Sequence, residues 1–94
     1  MTALSPIRGP SAATVAKAGR IVADRGVLVD FADPGAAALC ALVTSESGES
    51  YVVTHGRMLG WQCTCQARGT CSHILAATYV AVDGYGFRQG DLTT

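Results

Sequence analysis

The sequence predicts an α+β domain, in which one helix precedes and another follows a small antiparallel sheet. Apolar residues at helical spacing run from Ala12 to Val22, and Gly26 comes shortly after them. From Val27 to Thr64 the chain instead alternates short β-branched segments with turn residues, which is typical of antiparallel strands. His73 to Val82 again has a helical composition. The 94 residues therefore predict one domain with the order helix, sheet of three to four strands, helix.

Capping and turn residues set the boundaries of these elements. Ser11 is a suitable N-cap for the first helix, and Gly26 supplies its stop after Arg25. Gly84 and Gly86 end the second helix in the same way. The predicted strands are, in chain order, Val27–Phe31, Ala38–Thr44, Tyr51–Thr54 and Leu59–Thr64.

The composition predicts a folded chain with a small core. Hydrophobic residues make up 49% of the sequence and charged residues 15%, which favours folding over disorder. A domain of this size has a marginal core, and a bound metal is one common way to stabilise it. We expect residues 1–10 to be an irregular lead-in, residues 11–87 to form the single domain, and residues 88–94 to be a flexible tail.

The charge balance and the absence of export signals restrict the function. The formal net charge is zero, whereas a protein that mainly grips nucleic acid usually carries a basic surplus. The first thirty residues lack a secretory signal, and no apolar run approaches the roughly 20 residues that span a bilayer. We therefore expect a cytoplasmic protein without a membrane partner, whose four cysteines stay reduced.

Three cysteines and a histidine lie within eleven residues and predict a metal site. The segment Cys63-Thr64-Cys65 is followed, after a five-residue spacer that contains Gly69, by Cys71-Ser72-His73. Cysteines two apart at a strand end point to the same side, and a helix start favours thiolate over thiol. Three thiolates and one imidazole fill a tetrahedral zinc site, so we expect one structural Zn²⁺ rather than a catalytic ion.

The cluster also admits three interpretations without zinc. The four residues could be close in sequence without binding an ion. A disulfide between Cys63 and Cys65 would close a very small, strained ring, and a reducing compartment opposes it. An iron–sulfur cluster usually takes four cysteines, and the fourth would have to be Cys40, which sits in an apolar run that predicts a core position.

The pattern C-x-C, spacer, C-x-H resembles the signature of the SWIM zinc-finger family. The resemblance extends over roughly residues 17–82, including Tyr51-Val52-Val53 before the first cysteine pair and the helix that begins at His73. It implies a β-β-α zinc core and a role in binding nucleic acid or protein. The spacer is short, and Ser72 stands where members of the family often carry lysine.

Residues near the cluster are candidates for contact with a partner. Arg57, Trp61 and Arg68 could form a recognition surface through cation–π or stacking contacts. The alternative is that Trp61 packs on the zinc core and the two arginines are solvated. His55 is not a catalytic candidate, because no serine or cysteine nucleophile with a base and an orienting acid can be proposed around it. As a lone histidine beside a turn glycine, it is expected to be exposed.

Three functions are consistent with these observations. The first, which we favour, is an adaptor or regulator that binds a cellular protein through the SWIM-like domain and has no enzymatic activity. The second is a small DNA-binding protein that uses Arg57, Arg68 and the basic first helix. The third is an enzyme, or a redox or metal sensor, that uses exposed thiolates. The sequence leaves the oligomeric state undetermined.

Overall fold

The computed structural model describes residues 11–65 and 71–92 and has the predicted α+β architecture. Two helices cover one face of a four-stranded antiparallel sheet, and the other face of the sheet is open. The helices are α1 (Ala12–Ala23) and α2 (Ser72–Gly84), and the strands are β1 (Val27–Asp33), β2 (Ala38–Thr44), β3 (Ser50–Gly56) and β4 (Gly60–Cys63). Short 3₁₀ helices at Pro34–Ala36 and Gln89–Leu92 complete the described chain.

The sheet is a simple meander in which neighbouring strands in the chain are also neighbours in space. The order is β1-β2-β3-β4, and every pair is antiparallel. The register of β1 on β2 shifts between Val29 and Phe31, so Asp30 is the extra residue of a β-bulge on an edge strand. Bulges of this kind discourage further strands from pairing with an edge.

The end of α1 departs from the predicted glycine stop. Asp24 is the C-cap, and Arg25 takes the left-handed conformation with φ 59°. The N–H of Arg25 donates to the carbonyl of Val22, and that of Gly26 donates to the carbonyl of Ile21, which together form a Schellman motif. Gly26 is needed for a different reason: an added Cβ would lie 2.7 Å from the carbonyl oxygen of Thr44.

The core lies between the inner face of the sheet and the two helices. Alanines at positions 18, 77 and 81 are fully buried where α1 and α2 pack together, and their small size lets the helices approach closely. Val43 and Val53 are the largest fully buried side chains and come from the two central strands. The sheet and the helices therefore share one continuous core.

Two expectations about exposure are corrected by the structure. His55 is 3% exposed, because it lies on β3 two residues after buried Val53 and shares its inward face. Its Nδ1–H donates to the carbonyl oxygen of Ala37, and its ring lies against Trp61 at a centroid distance of 4.8 Å. The segment after α2, expected to be a flexible tail from residue 88, instead forms a 3₁₀ helix that buries Leu92, and Phe87 joins the core just before it.

Within residues 11–65 and 71–92, neither α1 nor α2 has both the length and the apolar character that crossing a bilayer requires.

The close approach at Gly26 predicts opposite effects for two glycine substitutions. Gly26→Ala should destabilise the fold by about 2 kcal/mol, because its methyl group meets a backbone oxygen that cannot move away cheaply. Gly19→Ala, inside α1 with nothing within 4 Å of the added carbon, should stabilise it by about 1 kcal/mol. Thermal unfolding of both variants tests this; equal shifts for the two would contradict it.

Candidate metal centre

The four predicted ligand residues come together between the sheet and α2. Cys63, Cys65, Cys71 and His73 offer ligand atoms that all lie within 4.8 Å of one another. Cys63 is the last residue of β4, Cys65 follows two residues later, and the remaining pair lies at the start of α2. The site thus joins an edge strand to the helix that covers the sheet.

Thr64 holds the first cysteine pair against the neighbouring strand. Its N–H donates to the carbonyl of Val52 at 3.1 Å, and its side-chain oxygen accepts from the N–H of Val52 at 3.0 Å. Cys63 itself pairs with Val53 across the sheet. These contacts continue the attachment to β3 one residue past the end of β4 and fix the direction in which Cys63 points.

The start of α2 positions the second ligand pair. Cys71 is the N-cap residue, with extended φ and ψ of −95° and 173°, and its carbonyl accepts from the N–H of Leu75. His73 follows within the first turn, so both side chains are held by the helix end. The first amide groups of a helix carry partial positive charge, which stabilises nearby thiolates. Cys71 is 7% exposed.

The distances fit a tetrahedral ion with sulfur and nitrogen ligands. With Zn–S about 2.3 Å and Zn–N about 2.0 Å, neighbouring ligand atoms of a tetrahedral centre lie about 3.5 to 3.8 Å apart. The Sγ of Cys63 and the Nδ1 of His73 are 3.8 Å apart. The largest separation, 4.8 Å, exceeds that range by about 1 Å. Binding all four atoms to one ion would shorten this largest separation by about 1 Å.

The electrostatics of the site favour a cation. Burial raises the pKa of the Cys63 thiol to about 12 and also raises the pKa of Cys71, against the opposing effect of the nearby backbone N–H groups of Cys65 and Ile74. Burial, followed by the charge of Lys17, lowers the pKa of His73 and keeps its imidazole neutral, as a metal ligand must be. A divalent cation would compensate the cost of charging the buried thiols.

Tyr51 supports His73 from the sheet. The two rings have a centroid distance of 4.4 Å and an interplanar angle of 36°. The Tyr51 hydroxyl donates to Oε1 of Glu49 at 2.7 Å, and this hydrogen bond is the main cause of the raised pKa of Tyr51. The ring of Tyr51 thereby limits the orientations open to the imidazole. Such outer contacts of a metal-binding histidine help to hold it ready for the ion.

The donor set suits one ion with four protein ligands. Cys40 is outside the cluster, because it lies on β2 between the inward-facing residues Leu39 and Ala41 and points to the open face of the sheet. The iron–sulfur alternative therefore loses its fourth cysteine among the described residues. Three thiolates and an imidazole are a common ligand set of structural zinc sites, so the residues present fit Zn²⁺.

Of the three candidate partner-binding residues, the structure describes Arg57 and Trp61. Arg57 lies in the turn before β4, at the opposite end of that strand from Cys63, and its guanidinium donates to the carbonyl of Gly35 at 2.8 Å. Trp61 is half-buried, and its Nε1 donates to the carbonyl of Leu92 at 2.7 Å. Arg68 lies outside the described residues.

Sequence reasoning missed the supporting roles of Thr64 and Tyr51. Thr64 lies inside the C-x-C motif, and its β-branched side chain with a hydroxyl is compatible with hydrogen bonding to a neighbouring strand. Nothing in the sequence identifies Val52 as the residue that it bonds. The sequence predicts a strand at Tyr51, and alternation with buried Val53 would assign its side chain to the inner face. Its contact with His73 depends on where α2 crosses the sheet, which is a tertiary feature.

Comparisons of the chain with protein-family models, with curated proteins and with solved structures found no match.

Single cysteine substitutions should distinguish the proposed metal ligands from Cys40, the cysteine outside the cluster. Cys71→Ser should abolish tight binding of one zinc ion and the cooperative thermal transition, because zinc binding of about 10 to 16 kcal/mol is comparable to the whole stability of a domain. Cys40→Ser, the matched control outside the cluster, should keep one zinc ion and a similar transition. Metal analysis after gel filtration, combined with circular dichroism, measures both. A Cys71→Ser protein that melts like the wild type would contradict the assignment.

Zinc affinity should fall steeply as the pH falls. The thiols of Cys63 and Cys71 have raised pKa values and must lose their protons to bind the ion, so protons compete with zinc below those values. We expect apparent affinity to weaken by about 100-fold or more for each pH unit between about pH 8 and 6. Competition with a chromophoric chelator at several pH values measures the slope, and an affinity independent of pH would exclude thiolate ligands.

Proposed function

We propose that the chain is a zinc-binding interaction module that binds a cellular protein in the cytoplasm and has no catalytic activity of its own. The observation that carries the proposal is the Cys63, Cys65, Cys71 and His73 cluster, whose four ligand atoms lie within 4.8 Å. Four protein ligands saturate a tetrahedral ion and leave no position for a substrate or an activated water. The ion then serves the fold, and the function belongs to the surface that the fold presents.

The similarity to the SWIM family supports the same proposal. The C-x-C pair lies at the end of β4 and the C-x-H pair at the start of α2, which is compatible with the β-β-α core that the resemblance implies. Ser72, where many members carry lysine, is 9% exposed and lies beside α1. A lysine ammonium at this place would lose much of its hydration, so serine suits the packing of α1 on α2 in this chain.

The charge distribution favours a protein partner over nucleic acid. Arg20 makes two hydrogen bonds to the carboxylate of Glu46, at 2.6 and 3.3 Å, and Arg57 is bonded to a backbone carbonyl. These guanidinium groups already have acceptors, and the chain has no net charge to attract phosphates. Under the alternative hypothesis, nucleic acid would bind Arg57, Arg68 and the basic first helix, where Lys17 and Arg25 at the helix end are exposed.

Affinity purification of the tagged, zinc-loaded chain from its own cells tests the proposal. We expect a defined protein that is retained after nuclease treatment and at raised salt, that is lost with Cys71→Ser, and that is kept with Cys40→Ser. Recovery of nucleic acid, with binding that falls steeply as salt increases, would replace the proposal with the DNA-binding alternative. A Lys17→Ala variant should then weaken binding and reduce the salt dependence, because it removes one phosphate contact.

A further inference from the structure

The open face of the sheet carries large exposed apolar side chains. Leu28 is 66% exposed, Phe31 54%, Leu42 39% and Val52 41%. Leu28 pairs with Leu42, and Leu42 pairs with Val52, so three of these residues form one row across β1, β2 and β3. Antiparallel sheets with one solvated face usually direct polar residues outward. This row reverses that pattern on three adjacent strands.

The same face has no charged side chain on the described strands β2, β3 and β4. Edge strand β1 carries two charged residues, Asp30 at the bulge and Asp33 at the strand end. The uncharged outward residues of the four strands define what we call the outer face: Leu28, Phe31, Ala38, Cys40, Leu42, Thr44, Ser50, Val52, Thr54 and Gln62.

We propose that the outer face is the interface between two copies of this chain. A surface that meets its own copy across a two-fold axis places identical groups close together, so any charge at its centre would be repelled by itself. An uncharged apolar centre, with its two carboxylates kept to one edge, avoids that cost. The zero net charge of the chain also removes the long-range repulsion between copies that keeps many small proteins apart.

The size of the outer face sets the strength of the contact. A strand of seven residues is about 23 Å long and strands lie about 4.8 Å apart, so three such strands and the shorter β4 present about 400 Å² measured flat. Two faces give about 800 Å², and side-chain relief increases the accessible area beyond that figure. Even with that increase, the area falls in the range of weak and transient interfaces, below about 1,200 Å², so we expect a reversible dimer with a Kd on the order of 10 µM or weaker.

The dimer would be a four-layer assembly with the sheets in the middle. Sheets packed face to face lie about 10 Å apart with their side chains interdigitated. The helices, and with them both metal centres, would lie on the outside of the assembly. Self-association through the outer face uses the opposite side of the sheet from α1, α2 and the metal ligands, so a monomeric result would leave the assignment of the metal ligands unchanged.

Sedimentation of the zinc-loaded full chain over about 1 to 500 µM tests the proposal. We expect the mass to rise from monomer towards dimer across this range. Leu28→Asp and Val52→Asp should raise the Kd at least about tenfold, because each substitution buries two unpaired carboxylates in a symmetric interface. Val15→Asp is the matched control: Val15 lies on α1 and is 42% exposed against 41% for Val52.

Two results would contradict an interface at the outer face. A chain that stays monomeric up to the highest concentration overturns the proposal, and the outer face would then belong to a different protein. A dimer that is weakened equally by Val15→Asp and Val52→Asp, or by neither, places the interface elsewhere. Zinc content and the thermal transition of each variant show that it has folded, and Leu28→Thr, which retains strand propensity, provides a milder version of the same test.

Discussion

The constraint on which the proposed account depends is the cluster of buried Cys71 with partly buried Cys63, Cys65 and His73, whose ligand atoms lie within 4.8 Å of one another between the sheet and α2 and could share a single cation. Without a cation, thiolates this close would repel one another, and burial would keep the thiols protonated, as the raised pKa values of Cys63 and Cys71 indicate. With a cation, the same burial strengthens the ligand bonds, because little water competes for the ion. The domain has a small core, so a metal cross-link here would contribute a large share of its stability.

Several structural features serve this cross-link. Strand β4 has only four residues and would be a weak edge by itself, but Thr64 extends its attachment to β3 and the ligands join it to α2. Tyr51 orients the imidazole from β3. Once α2 is fixed at its first turn, its buried alanines bring α1 onto the same layer. The inner face of the sheet is thereby covered, and the outer face is left open with its apolar row.

The sequence was enough to predict the fold class, the approximate bounds of both helices and the succession of strands along the chain, because these follow from periodicity and capping residues. It was not enough to predict features that depend on tertiary contacts. The left-handed residue after α1 is Arg25 rather than Gly26, because Gly26 must admit a backbone carbonyl from β2. His55 is buried because strand alternation places it inward, and the carbonyl of Leu92 accepts from Trp61, a partner that lies far along the chain. The four metal ligands could be proposed from spacing alone because all lie within eleven residues.

Absorption spectroscopy of the Co²⁺-substituted protein tests the central claim most directly, since cobalt takes the place of zinc and reports the number and geometry of its ligands. We expect intense visible bands of a tetrahedral centre together with strong thiolate-to-metal charge transfer, saturating at one ion per chain and lost when zinc is added. Weak bands of a six-coordinate centre, or charge transfer that is unchanged in Cys63→Ser, would show that these side chains do not hold an ion between the sheet and α2.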